Sequence, residues 1–241
     1  LELLKKIGIF AALRIRDLYN CFASKRIRVI TPSDCRQLNE VKQRALKRTD
    51  FNEHLSTLFC EALAAKPKLI VELGTRGGDS TFVLERIASL CQADFVSVDI
   101  VDSSGISDYP RWRFVKADDV PFAAKFPAWC AQERIPSEID LLFVDTSHQY
   151  EHTVKEIQAW FPLLSRRAKV IFHDTNLRIL YHRNDRSLDI GWYNRRGVIR
   201  ALEQHFACKF DEKTTFVDYR DRWLIRHWPN CSGFTVLERV E

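Results

Sequence analysis

The sequence predicts an α/β fold: a mostly parallel seven-stranded sheet with helices on both faces, preceded by a helical extension. Three observations predict it. From residue 68 onward, short apolar runs alternate with segments of helical periodicity, the pattern of strands joined by crossover helices. The first run ends in a glycine-rich turn, "ELGTRGGDST" (72–81). Other runs finish on a carboxylate, as in "LLFVDTSH" (141–148), where Asp145 and His148 follow an apolar strand. A turn would explain those residues, and so would a site at the carboxyl end of a strand in an open sheet.

The elements follow in order. Residues 1–20, "LELLKKIGIFAALRIRDLYN", space apolar residues helically with basic residues between them. That helix either packs on the main domain or a second subunit, or lies on a membrane surface through Lys5, Lys6, Arg14 and Arg16. "TPSD" (31–34) breaks the chain, and 36–65 reads as helical. Strands are expected at 68–74, 94–100, 112–118, 139–145 and 168–174. Helices are expected at 79–91, capped by Asp79 or Ser80, at 120–134 with an interruption at Pro127, at 150–164 and at 197–206. "TTFVDYRDRWLIRH" and "GFTVLERV" supply the last two strands as an antiparallel pair. The loop 176–197 carries Trp192, Tyr193 and arginines 178, 183, 186, 195 and 196. Loops of this length act as lids or binding segments, or are solvated basic loops.

Composition narrows the function. The 241 residues suffice for one large α/β domain. A net charge of +5 without a dense basic block argues against nucleic acid and leaves room for an anionic ligand. Seven cysteines without a Cys-x-x-Cys pair suit neither a disulfide framework nor a zinc ribbon. They suit reduced thiols in the cytoplasm. No apolar run is long enough for a membrane span. Because the first residue is not Met, a preceding targeting signal stays open.

The glycine turn admits a ligand close to the backbone at a helix N-terminus. Its spacing is neither the dinucleotide fingerprint nor a P-loop. Asp99 ends the second strand, where a carboxylate accepts from ribose hydroxyls or simply caps a strand end.

Taken in order, "VELGTRGGDST", "FVSVDI", "IDLLFVDTSHQYEHTVKEI" and "VIFHDT" resemble a class I S-adenosylmethionine-dependent methyltransferase. More narrowly, they resemble the small-molecule O-methyltransferases grouped with cephalosporin-hydroxylase-type proteins and macrolide-sugar methyltransferases. The resemblance spans about residues 50–205. It implies a Rossmann-like methyltransferase domain at 56–241 behind a helical extension at 1–55.

For the site, the resemblance implies S-adenosylmethionine in the turn formed by Glu72, Gly74, Thr75, Gly77 and Ser80. Asp99 would hold the ribose, and Asp118 or Asp119 would reach the adenine. Arg76 stands where the family often has glycine. Asp145, His173 and Asp174 fall on metal-ligand positions for Mg²⁺ or Mn²⁺. His173 departs from the usual acid there, and an imidazole shifts preference toward softer ions. His148 falls on the general-base position, expected neutral near an ordinary pKa. Tyr150, with His152 as its neighbour, would pack or line the pocket rather than catalyse. The implied reaction is metal-assisted O-methylation of a sugar or natural-product hydroxyl by a cytoplasmic homo-oligomer. A non-catalytic cofactor-binding module and a cephalosporin-hydroxylase-type oxidoreductase are the rival readings.

Overall fold

Five strands form the parallel part of the sheet, and those at its centre are buried along most of their length because both faces are covered. The five are β1 (Leu69–Leu73), β2 (Asp94–Asp99), β3 (Trp112–Lys116), β4 (Ile139–Val144) and β5 (Leu164–His173). All pair in parallel. The computed structural model describes residues 2–23 and 30–240, and side chains from residue 8 onward.

The helices are α1 (Glu2–Phe22), α2 (Arg36–Arg44), α3 (Leu55–Ala65), α4 (Asp79–Cys91), α5 (Asp119–Ala123), α6 (Phe126–Glu133), α7 (Tyr150–Trp160) and α8 (Gly197–His205). Alternation along the strands divides the core. Val83, Ile87 and Phe59 pack with Ile70, Phe95 and Phe143 on one face. Phe126, Trp160 and Leu202 pack with Leu69, Val71 and Leu142 on the other. Val41 of α2 is fully buried in the first of these cores.

The remaining strands are β6 (Leu180–His182), β7 (Leu188–Ile190), β8 (Phe216–Arg220), β9 (Trp223–Trp228) and β10 (Phe234–Arg239). The main sheet runs β3-β2-β1-β4-β5-β10-β9-β8, and β6 pairs with β7 alone. The order reverses between β1 and β4. This is the switch point where ligands enter open α/β sheets.

Several expectations change. The main sheet has eight strands because 214–227 is a hairpin rather than one strand. Asp221 and Arg222 make its turn at φ +46° and +68°, the left-handed pair of a type I′ turn, without the glycine that usually announces one. Segment 36–65 is two helices, and 120–134 is also two, with Pro127 in the first turn of the second. Gly78, not Asp79 or Ser80, occupies the N-cap of α4. Asp79 instead pairs with Arg44 at 2.8 Å. The 176–197 loop contains the β6–β7 hairpin.

Asn20 of α1 exchanges hydrogen bonds with the Leu188 backbone of β7. Phe10, Leu18 and Phe22 of α1 face outward. The side chains of Lys5 and Lys6, invoked for membrane contact, lie outside the described residues. No described helix is long and apolar enough to cross a membrane. All seven cysteines are free.

Candidate active site

Asp145 and Asp174 come immediately after β4 and β5, side by side at the carboxyl edge. Asp145 stays anchored to the sheet: its N–H donates to the Leu73 carbonyl at 2.9 Å. His148 reaches back into the gap between the two acids. Its Nε2 lies 2.9 Å from Asp145 Oδ1, and its Nδ1 lies 2.9 Å from Asp174 Oδ2. The second contact is close enough for an ion pair but lacks hydrogen-bond alignment. His173 Nδ1 lies 3.1 Å from the same Asp145 oxygen. His173 therefore turns toward the acids, and its Nε2 is buried without a partner.

The backbone reflects this convergence. His148 and Asp174 both have φ of +56°, a region that His and Asp tolerate better than most residues and that clusters at functional sites. Gly197 is required by close approach, since a Cβ there would sit 2.3 Å from the His148 carbonyl oxygen. The start of α8 thus clamps the His148 loop. Trp192 covers His148 with ring centroids 5.7 Å apart.

Burial alone would push both imidazoles toward neutrality. Asp174 and Asp145 overcome it and raise His148 to about 10 and His173 to about 9. Burial works against the Asp145 carboxylate, but His173 and His148 hold it well below its usual range. The expectation of a neutral His148 with an ordinary pKa does not hold here, because the imidazole lies between two carboxylates. Two imidazoles thus face two acidic side chains.

The glycine turn lies beside this cluster. At Gly74, with φ of +85°, a Cβ would stand 2.1 Å from the Asp145 carbonyl oxygen. Only glycine lets the turn and the β4 end meet. Gly77 borders open space. Asp99 shapes the turn: its carboxylate accepts from the N–H groups of Thr75 at 2.7 Å and Arg76 at 3.2 Å. It also accepts from Val101 N–H at 2.8 Å. Arg76, at φ +43°, turns outward to Asp50.

Glu72 is fully buried beneath the turn and accepts from the Thr81 and Ser97 hydroxyls. Ser80 also bonds to it. Burial outweighs these bonds and raises Glu72 to about 7.

The two candidates for adenine diverge. Asp118 is exposed and caps α5 through Val120 N–H. Asp119 is buried and accepts from His152 Nε2 at 3.0 Å. Of the five loop arginines, 183 and 196 are held by carboxylates at 2.9 and 2.8 Å, and Arg178 bonds Asn176. Arg186 and Arg195 are exposed.

Sequence reasoning missed His54, fully buried and stacked on Phe234, whose pKa burial lowers to about 3. It also missed the grouping of Asp119, His152 and Glu156. The one-turn spacing of His152 and Glu156 on a helix was the available signal.

Residues 71–175 match a family model described as a methyltransferase domain. No curated protein matches the chain in sequence. Among solved structures, the fold is similar to the S-adenosylhomocysteine-bound methyltransferase PaMTH1 of Podospora anserina. Identity is 14%, coverage 89% of this chain and 100% of that one, and the TM-score is 0.54. An O-methyltransferase of Bacillus cereus in complex with S-adenosylhomocysteine aligns at 14% identity, 96% and 100% coverage and TM-score 0.52. MycE of the mycinamycin pathway, in complex with Mg, S-adenosylhomocysteine and mycinamycin VI, aligns at 16% identity and TM-score 0.53. The alignment covers 86% of this chain and 55% of MycE. The domain match spans the glycine turn, both acidic strand ends and His148. Residues 71–175 are thus similar to a methyltransferase domain, and the whole chain shares the fold of these solved structures.

Proposed function

We propose that the chain transfers a methyl group from S-adenosylmethionine to a hydroxyl oxygen of a small molecule, with a sugar or other natural product as the acceptor class. The observation that carries this reading is His148 held between Asp145 and Asp174 at the switch point, beside the glycine turn. A proton acceptor and two carboxylates at that edge suit deprotonation of a hydroxyl next to a bound sulfonium.

In this reading the cofactor lies along the turn 72–80. The open side of Gly77 admits it, and Asp99 receives the ribose with the lone pairs its three backbone bonds leave over. Asp118, exposed at its cap, takes the adenine edge, because Asp119 is committed to His152. The acceptor enters a cleft of about 560 Å³ that begins at Thr175, next to Asp174, and includes Leu177, Ile179 and Tyr193. Its mixed apolar and arginine-bearing wall suits a ring compound with polar substituents.

The carboxylates of Asp145 and Asp174 would hold a divalent ion, leaving His148 as the base. Such an ion would supply positive charge that favours neutral His148 and makes the acceptor hydroxyl easier to deprotonate. Gly197 and Trp192 hold His148 in place, and His148 takes the proton as the methyl arrives. The complex of MycE with Mg and mycinamycin VI supports an ion and a small-molecule acceptor by analogy of fold.

The test is methyl transfer from labelled S-adenosylmethionine to a panel of hydroxylated sugars and phenols, before and after exhaustive chelation. The expected result is ether formation that chelation abolishes and Mn²⁺ or Mg²⁺ restores. Binding of S-adenosylhomocysteine without transfer to any acceptor would overturn the catalytic reading. Full transfer after chelation would remove the ion from it.

A further inference from the structure

A second group of metal-ligating side chains lies on the helical side of the β4–α7 connection. His152 and Glu156 are one turn apart on α7 and so share a face. Asp119 from the first turn of α5 meets them. His152 Nε2 lies 3.0 Å from Asp119 Oδ1 and 3.4 Å from Glu156 Oε1. Glu156 is 2% exposed and Asp119 6%.

The cluster is short of positive charge and of donors. Asp119 Oδ2 and Glu156 Oε2 are both buried without a hydrogen-bond partner. The donors present are one imidazole N–H and the Thr146 hydroxyl, which bonds Glu156. One proton on Nε2 cannot serve two carboxylates. Among the described residues, neither acid is paired with a lysine or arginine. Buried carboxylate oxygens without partners are costly, and a cation is the ordinary remedy.

The spacing suits one. Ligands about 2.0–2.1 Å from a tetrahedral ion stand about 3.3–3.4 Å apart. The observed 3.0 and 3.4 Å separations bracket that edge, and one donor atom from each residue lies within 4.8 Å of the others.

We propose that Asp119, His152 and Glu156 form a second divalent-cation site, of the Zn²⁺ or Mn²⁺ class, that staples α5 to α7. One imidazole and two carboxylates make a mixed N/O donor set, which excludes neither ion but disfavours Ca²⁺ and Mg²⁺. The site is separate from the Asp145–Asp174 centre and does not depend on how that centre works. Thr146, the residue after Asp145, joins the two through its bond to Glu156.

The experiment uses the full chain, stripped of metal and titrated with Zn²⁺ by calorimetry, and with Co²⁺ by visible absorption. A variant carrying Asp145→Asn and Asp174→Asn removes the first centre. It is expected to bind one equivalent of Zn²⁺ and to give the intense absorption of four-coordinate Co²⁺. Adding His152→Gln is expected to weaken binding by roughly 100-fold or more and abolish the band. A folded Asp145→Asn/Asp174→Asn variant that binds no Zn²⁺ would overturn the site, as would one whose affinity His152→Gln leaves unchanged. If that double variant fails to fold, the wild-type chain decides against His152→Gln alone. Loss of one bound equivalent supports the site, and unchanged stoichiometry overturns it.

Discussion

Two imidazole–carboxylate centres flank the β4–α7 connection, and they differ in how they are built and balanced. The Asp145–His148–Asp174 centre stands on strand ends, with two residues in left-handed backbone. With His173 it has two imidazoles for two acids. The Asp119–His152–Glu156 centre stands on helices, with one imidazole for two acids and two unpartnered oxygens. A strand end at a switch point presents its groups to an incoming ligand, whereas a helix face turned inward presents them to each other. The first arrangement suits chemistry on a substrate, and the second suits holding an ion.

The largest expected effect separates the centres by turnover. His148→Ala should lower kcat by roughly 10²–10⁴-fold while leaving S-adenosylhomocysteine affinity nearly unchanged. His152→Gln should lower kcat by less than about 10-fold, because it touches no reacting atom. Equal losses in the two variants would erase the distinction. Steady-state rates with calorimetric cofactor affinities check it.

Glu72 adds a buried acid outside both centres, one supported by hydroxyls alone. Its raised pKa favours the protonated native form. That stabilisation is present in full below about pH 4.5 and is lost as pH rises through about 7, roughly 3 kcal/mol in all. Urea unfolding of wild type and Glu72→Gln should therefore diverge, with the variant gaining relative to wild type between pH 5 and 8. A pH-independent difference would mean that Glu72 does not titrate in that range.

A smaller effect is expected at Asp99, whose carboxylate serves the turn and, in the proposed pose, the ribose. Asp99→Ala should weaken S-adenosylhomocysteine by about 1.5–3 kcal/mol. Leaving affinity intact would refute the ribose placement. Smallest is Trp192→Ala, which removes a ring from beside His148. It should lower kcat several-fold, about 0.5–1 kcal/mol, with little change in the acceptor KM.

The parallel half of the sheet was legible because most of its strands carry a short apolar run closed by glycine or an acid. Positions 79–91 read as a helix and form one. The antiparallel edge was less legible: the β8–β9 turn uses Asp221 and Arg222 at positive φ, and neither residue advertises a turn of that hand. Asp145, His148 and Asp174 could be singled out because they punctuate strands. Their mutual charge could not, since the raised His148 depends on Asp174 arriving from another strand. The Asp119 grouping escaped for the same reason, its members coming from α5 and α7.

Gly74 has a consequence for traffic through the site. The turn and the β4 end touch so closely that not even a methyl group fits between them. The joint has no slack. A nucleoside cannot be admitted by swinging the turn away from β4 without dragging Asp145 along. In the proposed pose, exchange would run past the free rim, where Gly77 borders open space and Ile100 and Val101 are exposed. The cofactor would then leave while the acidic strand ends keep their positions.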